Sequence, residues 1–388
     1  MKIKSIKEIK NLKGKNVLVR VDCNVPLNDK GQIVEDYKIK SSLPTIRHLL
    51  IKGANVILLS HLGRPDGKVD KRFSNQVVAK RISKLLEKKV TLLDELVSDK
   101  NIEIVKNLGF RQIAMLENVR FSPAEKKNDQ TFAKSLAKLG DYYVNDAFAV
   151  SHRAEASVSA ITRYLPSYAG LLLEKEIKYL SKVLLSKVKP KVAIIGGAKI
   201  ETKVPVIKNM IKKMDYVLIG GAIANTILKA MDYEVGLSKI DDHHLKTATQ
   251  IIHPKLLIPI DVVVAKDFSS KAKAQVKAVG QIGAKDVILD LGPDTIKLYS
   301  DIIKDAKLVV WNGPLGYFEV NRYKKASQAI ARAIINCKDD SIIGGGETVQ
   351  LAKELGLKKK FDFVSTGGGA MLEFLEGKVL AGIKPLLK

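Results

Sequence analysis

Two sets of residues in this 388-residue chain have the types and spacing to do chemistry. The first is cationic. Asp22 and Asn24 follow an apolar stretch at 17–21, and His61, Leu62, Gly63 and Arg64 follow a second at 56–59. Glu117, Asn118 and Arg120 follow a third at 113–116, and His152 and Arg153 come shortly after a fourth at 142–144. Lys38 lies between the first stretch and its helix. Guanidinium forks bind carboxylate and phosphate through paired hydrogen bonds and stay charged at any working pH. Three arginines, a lysine and two histidines at strand ends therefore suit a small ligand with several negative charges. A lone arginine is more often a solvated surface group; the shared position at strand ends is what argues for a ligand cup.

The second set is glycine-rich. Apolar stretches at 192–195, 216–219, 309–311, 342–343 and 363–364 each run into a glycine turn. The turns are Gly196-Gly197-Ala198-Lys199, Gly220-Gly221-Ala222, Asn312-Gly313-Pro314-Leu315-Gly316, Gly344-Gly345-Gly346-Glu347-Thr348 and Ser365-Thr366-Gly367-Gly368-Gly369. Each stretch reads as a buried parallel strand, and each glycine lets backbone approach a ligand that a Cβ would push away. Helices that start at such turns point unpaired N–H groups at the loop and favour phosphate. Several of them on the carboxyl edge of one sheet argue for a polyphosphate site.

Other chemistries find less support. Gly-x-Ser-x-Gly is absent, and Cys23 has no nearby helix start to activate it. His243, His244 and His253 lack the spaced thiolates or carboxylates of a zinc site and read as surface residues. The P-loop signature is missing, and no Gly-x-Gly-x-x-Gly opens the first crossover, which weakens the rival reading of an NAD-dependent two-domain dehydrogenase. The net charge of +25 raises nucleic acid as a second rival, yet the lysines are spread along the chain and aromatics make up only 6%. Anionic small substrates on a lysine-rich background fit better. No apolar run approaches the ~18–20 residues of a membrane span, the basic N-terminus lacks the apolar region of a signal peptide, and Cys23 and Cys337 support no disulfide framework. The cytoplasm is the expected compartment.

The elements that must position these residues alternate between strand and helix. Helical patterns at 43–52, 75–88 and 129–139 separate the strands of the first half, which predicts parallel pairing with right-handed crossovers. The spacing of Ile3, Ile6, Ile9 and Leu12 predicts a short amphipathic turn packed on the fold. A helical run from Gly170 precedes the glycine-rich half and suits a stiff connector. The expected fold is α/β: two Rossmann-like domains, each a parallel sheet flanked by helices, joined by a hinge helix. The expected boundaries are 1–168 for the N-terminal domain, 169–186 for the interdomain helix and 187–377 for the C-terminal domain.

Over its whole length the chain resembles the phosphoglycerate kinase family. The segments that carry the resemblance are Val19-Arg20-Val21-Asp22-Cys23-Asn24-Val25-Pro26, Ser60-His61-Leu62-Gly63-Arg64-Pro65, Leu116-Glu117-Asn118-Val119-Arg120-Phe121, Asn145-Asp146-Ala147-Phe148, Gly196-Gly197-Ala198-Lys199, Asn225-Thr226, Trp311-Asn312-Gly313-Pro314, Gly344-Gly345-Gly346 and Ser365-Thr366-Gly367-Gly368-Gly369. The resemblance implies reversible phosphoryl transfer between 1,3-bisphosphoglycerate with ADP and 3-phosphoglycerate with ATP. It puts Asp22, Asn24, Lys38, His61, Leu62, Gly63, Arg64, Arg120 and Arg153 on phosphoglycerate positions. Gly197, Ala198, Lys199, Lys203, Gly221, Asn312, Gly313, Pro314, Glu319, Gly345, Gly346, Glu347 and Thr348 fall on nucleotide positions, with Glu319 at the ribose and Glu347 at the magnesium of the nucleotide complex. Lys38, Lys199, Gly367 and Gly368 are the implied catalytic groups. The resemblance also implies a monomer with no need for nucleic acid or membrane, and a tail at about 378–388 that returns to the N-terminal domain.

Four positions depart from the family's usual pattern. Lys38 stands where arginine is usual, Glu347 where aspartate is usual, Thr202 where an acidic residue is frequent, and His152-Arg153-Ala154-Glu155 replaces His-Arg-Ala-His. The last change is expected to remove a cation beside the cup and to lower its affinity for anions.

Overall fold

The computed structural model describes residues 1–269, 271–337 and 339–388. They divide into two compact units, Met1–Lys178 with Val379–Lys388, and Tyr179–Lys378.

In the first unit, β1 (Asn16–Val21), β2 (Asn55–Leu59), β3 (Val90–Leu93), β4 (Ile113–Leu116), β5 (Tyr142–Asp146) and β6 (Ser167–Ala169) form one sheet in the order β3-β4-β2-β1-β5-β6. Every neighbouring pair is parallel. Side chains alternate across a strand, so Val17, Val19 and Val21 enter one core with Ile46 and Leu49, while Leu18 enters the other with Leu136 and Tyr143. By the same alternation Arg20 shares the face of Leu18. Since strands β4, β2, β1 and β5 are consecutive in the sheet, the loops at their carboxyl ends lie side by side.

The 3-10 turn Ile6–Glu8 begins the unit, with Ile6 and Leu12 buried. The tail packs here too: Lys4 N–H donates to the Leu386 carbonyl and Asn145 Nδ2 to the Gly382 carbonyl. The helix Leu171–Leu185 starts where β5 ends in Asp146, whose Oδ1 accepts the N–H groups of Leu172 and Leu173. Gly170 must be glycine there, since a Cβ would stand 2.2 Å from that oxygen.

In the second unit, β7 (Lys191–Ile195), β8 (Tyr216–Ile219), β9 (Leu256–Leu257), β10 (Asp261–Ala265), β11 (Gln275–Ala278), β12 (Val287–Leu291), β13 (Leu308–Asn312), β14 (Asp340–Gly344) and β15 (Phe363–Val364) form two sheets. The larger is parallel, in the order β15-β14-β13-β7-β8-β9, so the five strands that run into glycine turns share one carboxyl edge. The smaller is antiparallel, in the order β11-β10-β12, and adds to the parallel architecture expected from sequence.

Candidate active site

The first helix begins earlier than its apolar pattern suggests, at Tyr37 rather than residue 43, with Pro44 inside it. Lys38 is therefore not in the connection ahead of the helix but in its first turn. Asp36 at the N-cap makes no capping bond because its carboxylate is engaged by Arg81 and Lys40. An ammonium in a first turn faces the positive end of the helix dipole, and Asp22 offsets this: its Oδ2 lies 2.7 Å from Lys38 Nζ. Burial alone would raise the Asp22 carboxyl, but Lys38 and the Asn24 N–H hold it down at about 2. The same burial pushes the neighbouring Cys23 thiol up to about 12, which removes it as a nucleophile.

Around this pair the loops interlock. Asn24 Oδ1 accepts the Gly63 N–H at 2.9 Å, and Asn118 Nδ2 donates to the Leu62 and Phe73 carbonyls, which fixes the His61–Gly63 turn. Asn118 Oδ1 also accepts the Arg120 N–H. Glu117 binds Ser74 and the Asn75 N–H, so its role is to brace the loop. His61 is buried, and burial together with Arg20 holds its imidazole well below its ordinary pKa and neutral at pH 7. Arg64 and Arg153 are exposed, whereas Arg120 is buried with its guanidinium 2.9 Å from Glu155.

Arg20, Glu125 and Ser157 form a buried network beneath the cup that residue-type reasoning missed. Arg20 Nε donates to Ser157 Oγ at 2.8 Å, Nη1 to the Val21 carbonyl, and Nη2 lies 3.2 Å from His61 Nδ1. Ser157 donates to Glu125, whose carboxyl is raised by burial. The available signal was an arginine inside a strand that is otherwise apolar after its first residue, since an unpartnered buried charge is prohibitively costly.

On the second unit a cavity is lined by Gly196, Gly197, Ala198, Lys199, Thr202, Lys203, Asn312, Gly313, Gly345, Gly346, Glu347 and Thr348. An adjoining cavity of about 360 Å³ reaches from Gly197, Gly221 and Glu347 past Pro314, Leu289, Phe268 and Tyr317 to Glu319. Leu289 belongs to the antiparallel sheet, so that sheet supplies part of an apolar wall suited to a flat ring. The glycines divide into two kinds. A Cβ at Gly313 would stand 2.2 Å from the Gly196 carbonyl oxygen, so that glycine lets two loops touch; a Cβ at Gly197 or Gly346 would meet nothing within 4 Å and point into open space.

The polar side chains hold one another. Lys203 Nζ donates to Asn312 Oδ1, Asn312 Nδ2 donates to the Gly344 carbonyl, and Thr348 Oγ1 accepts the Gly313 N–H at 2.8 Å. Asn312 and Thr348 thus shape the site, with their side chains already engaged. Burial lowers Lys203 to about 8, against the opposing pull of Glu347. Lys199 and Glu347 are exposed, and Glu347 sits in the first turn of the helix Gly346–Glu354. The helix Gly368–Leu375 starts beside Gly345: a Cβ at Gly368 would stand 3.7 Å from its Cα. Among the described residues no group of three or more His, Cys, Asp or Glu could cage a metal alone. One carboxylate beside lysines and open N–H groups fits a magnesium that arrives on phosphates, since that ion keeps water and substrate oxygens among its ligands.

Known proteins resemble this chain over nearly its whole length. The family model described as phosphoglycerate kinase matches residues 6–378. The phosphoglycerate kinase of Pelotomaculum thermopropionicum is 44% identical over 99% of both chains. The phosphoglycerate kinase structure from Coxiella burnetii superposes with a TM-score of 0.89 at 39% identity over 99% of each chain. That from Pyrococcus horikoshii gives 0.87 at 31% identity over 99% of this chain and 98% of that one. The chain belongs to the phosphoglycerate kinase family.

Proposed function

We propose that residues 1–168, with the tail at about 378–388, hold phosphoglycerate, that 187–377 hold the nucleotide, and that 169–186 act as the hinge. The chain is a phosphotransferase with a carboxyl group as acceptor, catalysing reversible transfer between 1,3-bisphosphoglycerate with ADP and 3-phosphoglycerate with ATP. The single observation that carries the division of labour is the contrast in chemistry. A cationic cup surrounds Asp22, Lys38, His61 and Arg120 on one unit, and a glycine-lined cavity carries Lys199, Lys203 and Glu347 on the other.

The carboxylate of an acyl phosphate is a good leaving group and the terminal oxygen of ADP is already anionic, so no general base is needed. The protein must align the two and stabilise charge on the equatorial oxygens. Arg64, Arg120, Arg153 and Lys38 bind the carboxylate and phosphate, with Asp22 and Asn24 orienting them and the Leu62–Gly63 turn, whose Gly63 N–H is held by Asn24, shaping the cup beside them. Lys203 and the backbone of Gly197, Ala198, Gly221, Gly313, Pro314, Gly345, Gly346 and Thr348 receive the nucleotide, with Glu319 at the ribose. Lys199 and the helix start at Gly367 and Gly368 face the transferring group. Glu347 would hold the magnesium that the nucleotide carries, and the ion would supply neutralisation of the phosphate charge. Closure about the hinge excludes water, which would otherwise hydrolyse the acyl phosphate. We place the reaction in the cytoplasm and the active species as a monomer without nucleic acid or membrane; no described helix is long and apolar enough to cross a bilayer.

The test is a coupled assay with 3-phosphoglycerate, ATP and magnesium, following the acyl phosphate. Turnover that requires all three supports the reading; its absence in folded protein overturns it.

A further inference from the structure

Three guanidiniums converge on a carboxylate to which the reading above gives no role. Glu155 is buried, with its side chain 5% exposed. Its Oε1 accepts a hydrogen bond from Arg120 Nη2 at 2.9 Å and lies 3.8 Å from Arg153 Nη1. Its Oε2 lies 3.9 Å from Arg20 Nη2 and accepts no hydrogen bond among the described residues.

The three arginines depend on it unequally. Arg20 is already held by Ser157, the Val21 carbonyl and His61. Arg153 is 46% exposed and can leave. Among the described residues Arg120 has Glu155 as its one short side-chain partner: its Nη1 is 3.5 Å from the Gly63 carbonyl, and its buried Nε has no partner there. A buried carboxylate with an acceptor oxygen left over, facing three guanidiniums, occupies the place of an anion in an anion-binding cluster.

We propose that Glu155 is a resident counter-anion of the cup: it holds the Arg120 guanidinium folded inward and weakens the binding of anionic substrate by competing for the same arginines. This rests on the reading of the cup as the phosphoglycerate site. The departure at this position therefore acts through an added negative charge as well as through a lost cation. Glu155 is a positioning residue, since it acts on substrate through Arg120 and Arg153. The charge and the packing are separable. Glutamine keeps an acceptor at Oε1 for Arg120 and loses the charge, and histidine at pH 8 is neutral and loses it by a different shape.

The experiment is calorimetric titration of the full chain, without nucleotide, with 3-phosphoglycerate and separately with inorganic sulfate, at low and high salt. Wild type, Glu155→Gln and Glu155→His are compared at pH 8. Removing a unit charge at this range in a partly buried site should lower the Kd for 3-phosphoglycerate by roughly tenfold and tighten sulfate as well. The affinity should also fall more steeply with salt in the variants. An unchanged or weaker Kd in a folded variant, whatever its melting temperature, overturns the proposal and leaves Glu155 a structural ion pair. Wild type that binds no 3-phosphoglycerate overturns the reading of the cup instead, so the two failures are distinct.

Discussion

Replacing Lys38 with methionine should disturb stability and catalysis together, in a way that pH separates. The Asp22 carboxyl is held at about 2 against an ordinary 3.8, a difference worth roughly 2.5 kcal/mol. That figure is net of burial, which opposes it, so loss of the ammonium costs more; removing one partner of a buried pair typically costs ~3–5 kcal/mol. In wild type the folded pKa of Asp22 lies below the unfolded one. Its contribution is therefore complete above about pH 4 and is lost as pH falls through about 2. In Lys38→Met burial acts without its main opponent and raises the carboxyl, so the buried charge becomes a penalty at neutral pH that protonation relieves. Urea unfolding followed by far-ultraviolet circular dichroism should show the largest gap between wild type and variant at pH 7, and a smaller gap at pH 3.5. The double variant Lys38→Met, Asp22→Asn should regain most of the stability at pH 7 while kcat stays low, and KM for 3-phosphoglycerate should change far less than kcat. A gap that does not vary with pH would refute the coupling of the two side chains, and recovery of kcat in the double variant would refute a catalytic charge at Lys38.

Three further outcomes follow from the second unit. Lys199→Ala should fold normally and lose a few orders of magnitude in kcat, the scale of ~3–4 kcal/mol of transition-state electrostatics; near wild-type kcat would remove Lys199 from the reaction. Glu347→Gln should raise the magnesium concentration needed for half-maximal rate and leave 3-phosphoglycerate affinity unchanged, and an unaltered metal requirement would dismiss the carboxylate. Lys203 sits at about 8 without ligand, and a bound polyphosphate favours its charged form. ADP binding should therefore take up protons near pH 8 and weaken above it, as read by calorimetry in buffers of different ionisation enthalpy, and Lys203→Gln should abolish that uptake.

What the sequence disclosed depended on how local the cause was. The strands at 113–116, 216–219 and 363–364 are bounded in the structure as their apolar runs predict, because a parallel strand buried along most of its length needs continuous apolar residues; only Tyr216, at the start of the second of them, is exposed. β3 escaped notice because three of its four residues are only partly buried, and β11 because it is largely exposed, so neither carries a buried-strand pattern. The first helix starts ahead of its apolar pattern because its opening residues, Tyr37-Lys38-Ile39-Lys40-Ser41-Ser42, are mostly polar, and that places Lys38 in a helix rather than a loop. The glycine turns were visible, but their division into loop packing at Gly313 and open space at Gly197 depends on which loop lies opposite.

The buried and half-buried cations of the two sites share one logic that no residue type displays. A charge taken out of water must be partnered, and a partner that holds it too well keeps it from the ligand. Lys38 is held by Asp22, Arg120 by Glu155 and Lys203 by the neutral Asn312. These holders differ in what they leave for a substrate. The Lys38 ammonium keeps two further donors and is 29% exposed, so it can add an anion without leaving Asp22. Lys203 is held by a neutral amide, which competes weakly with a phosphate. Arg120 alone of the three is buried against a carboxylate that carries the same charge as the ligand, so substrate binding there is an exchange of one anion for another. Glu155 is therefore where this chain's affinity for phosphoglycerate is set below what its arginines could deliver.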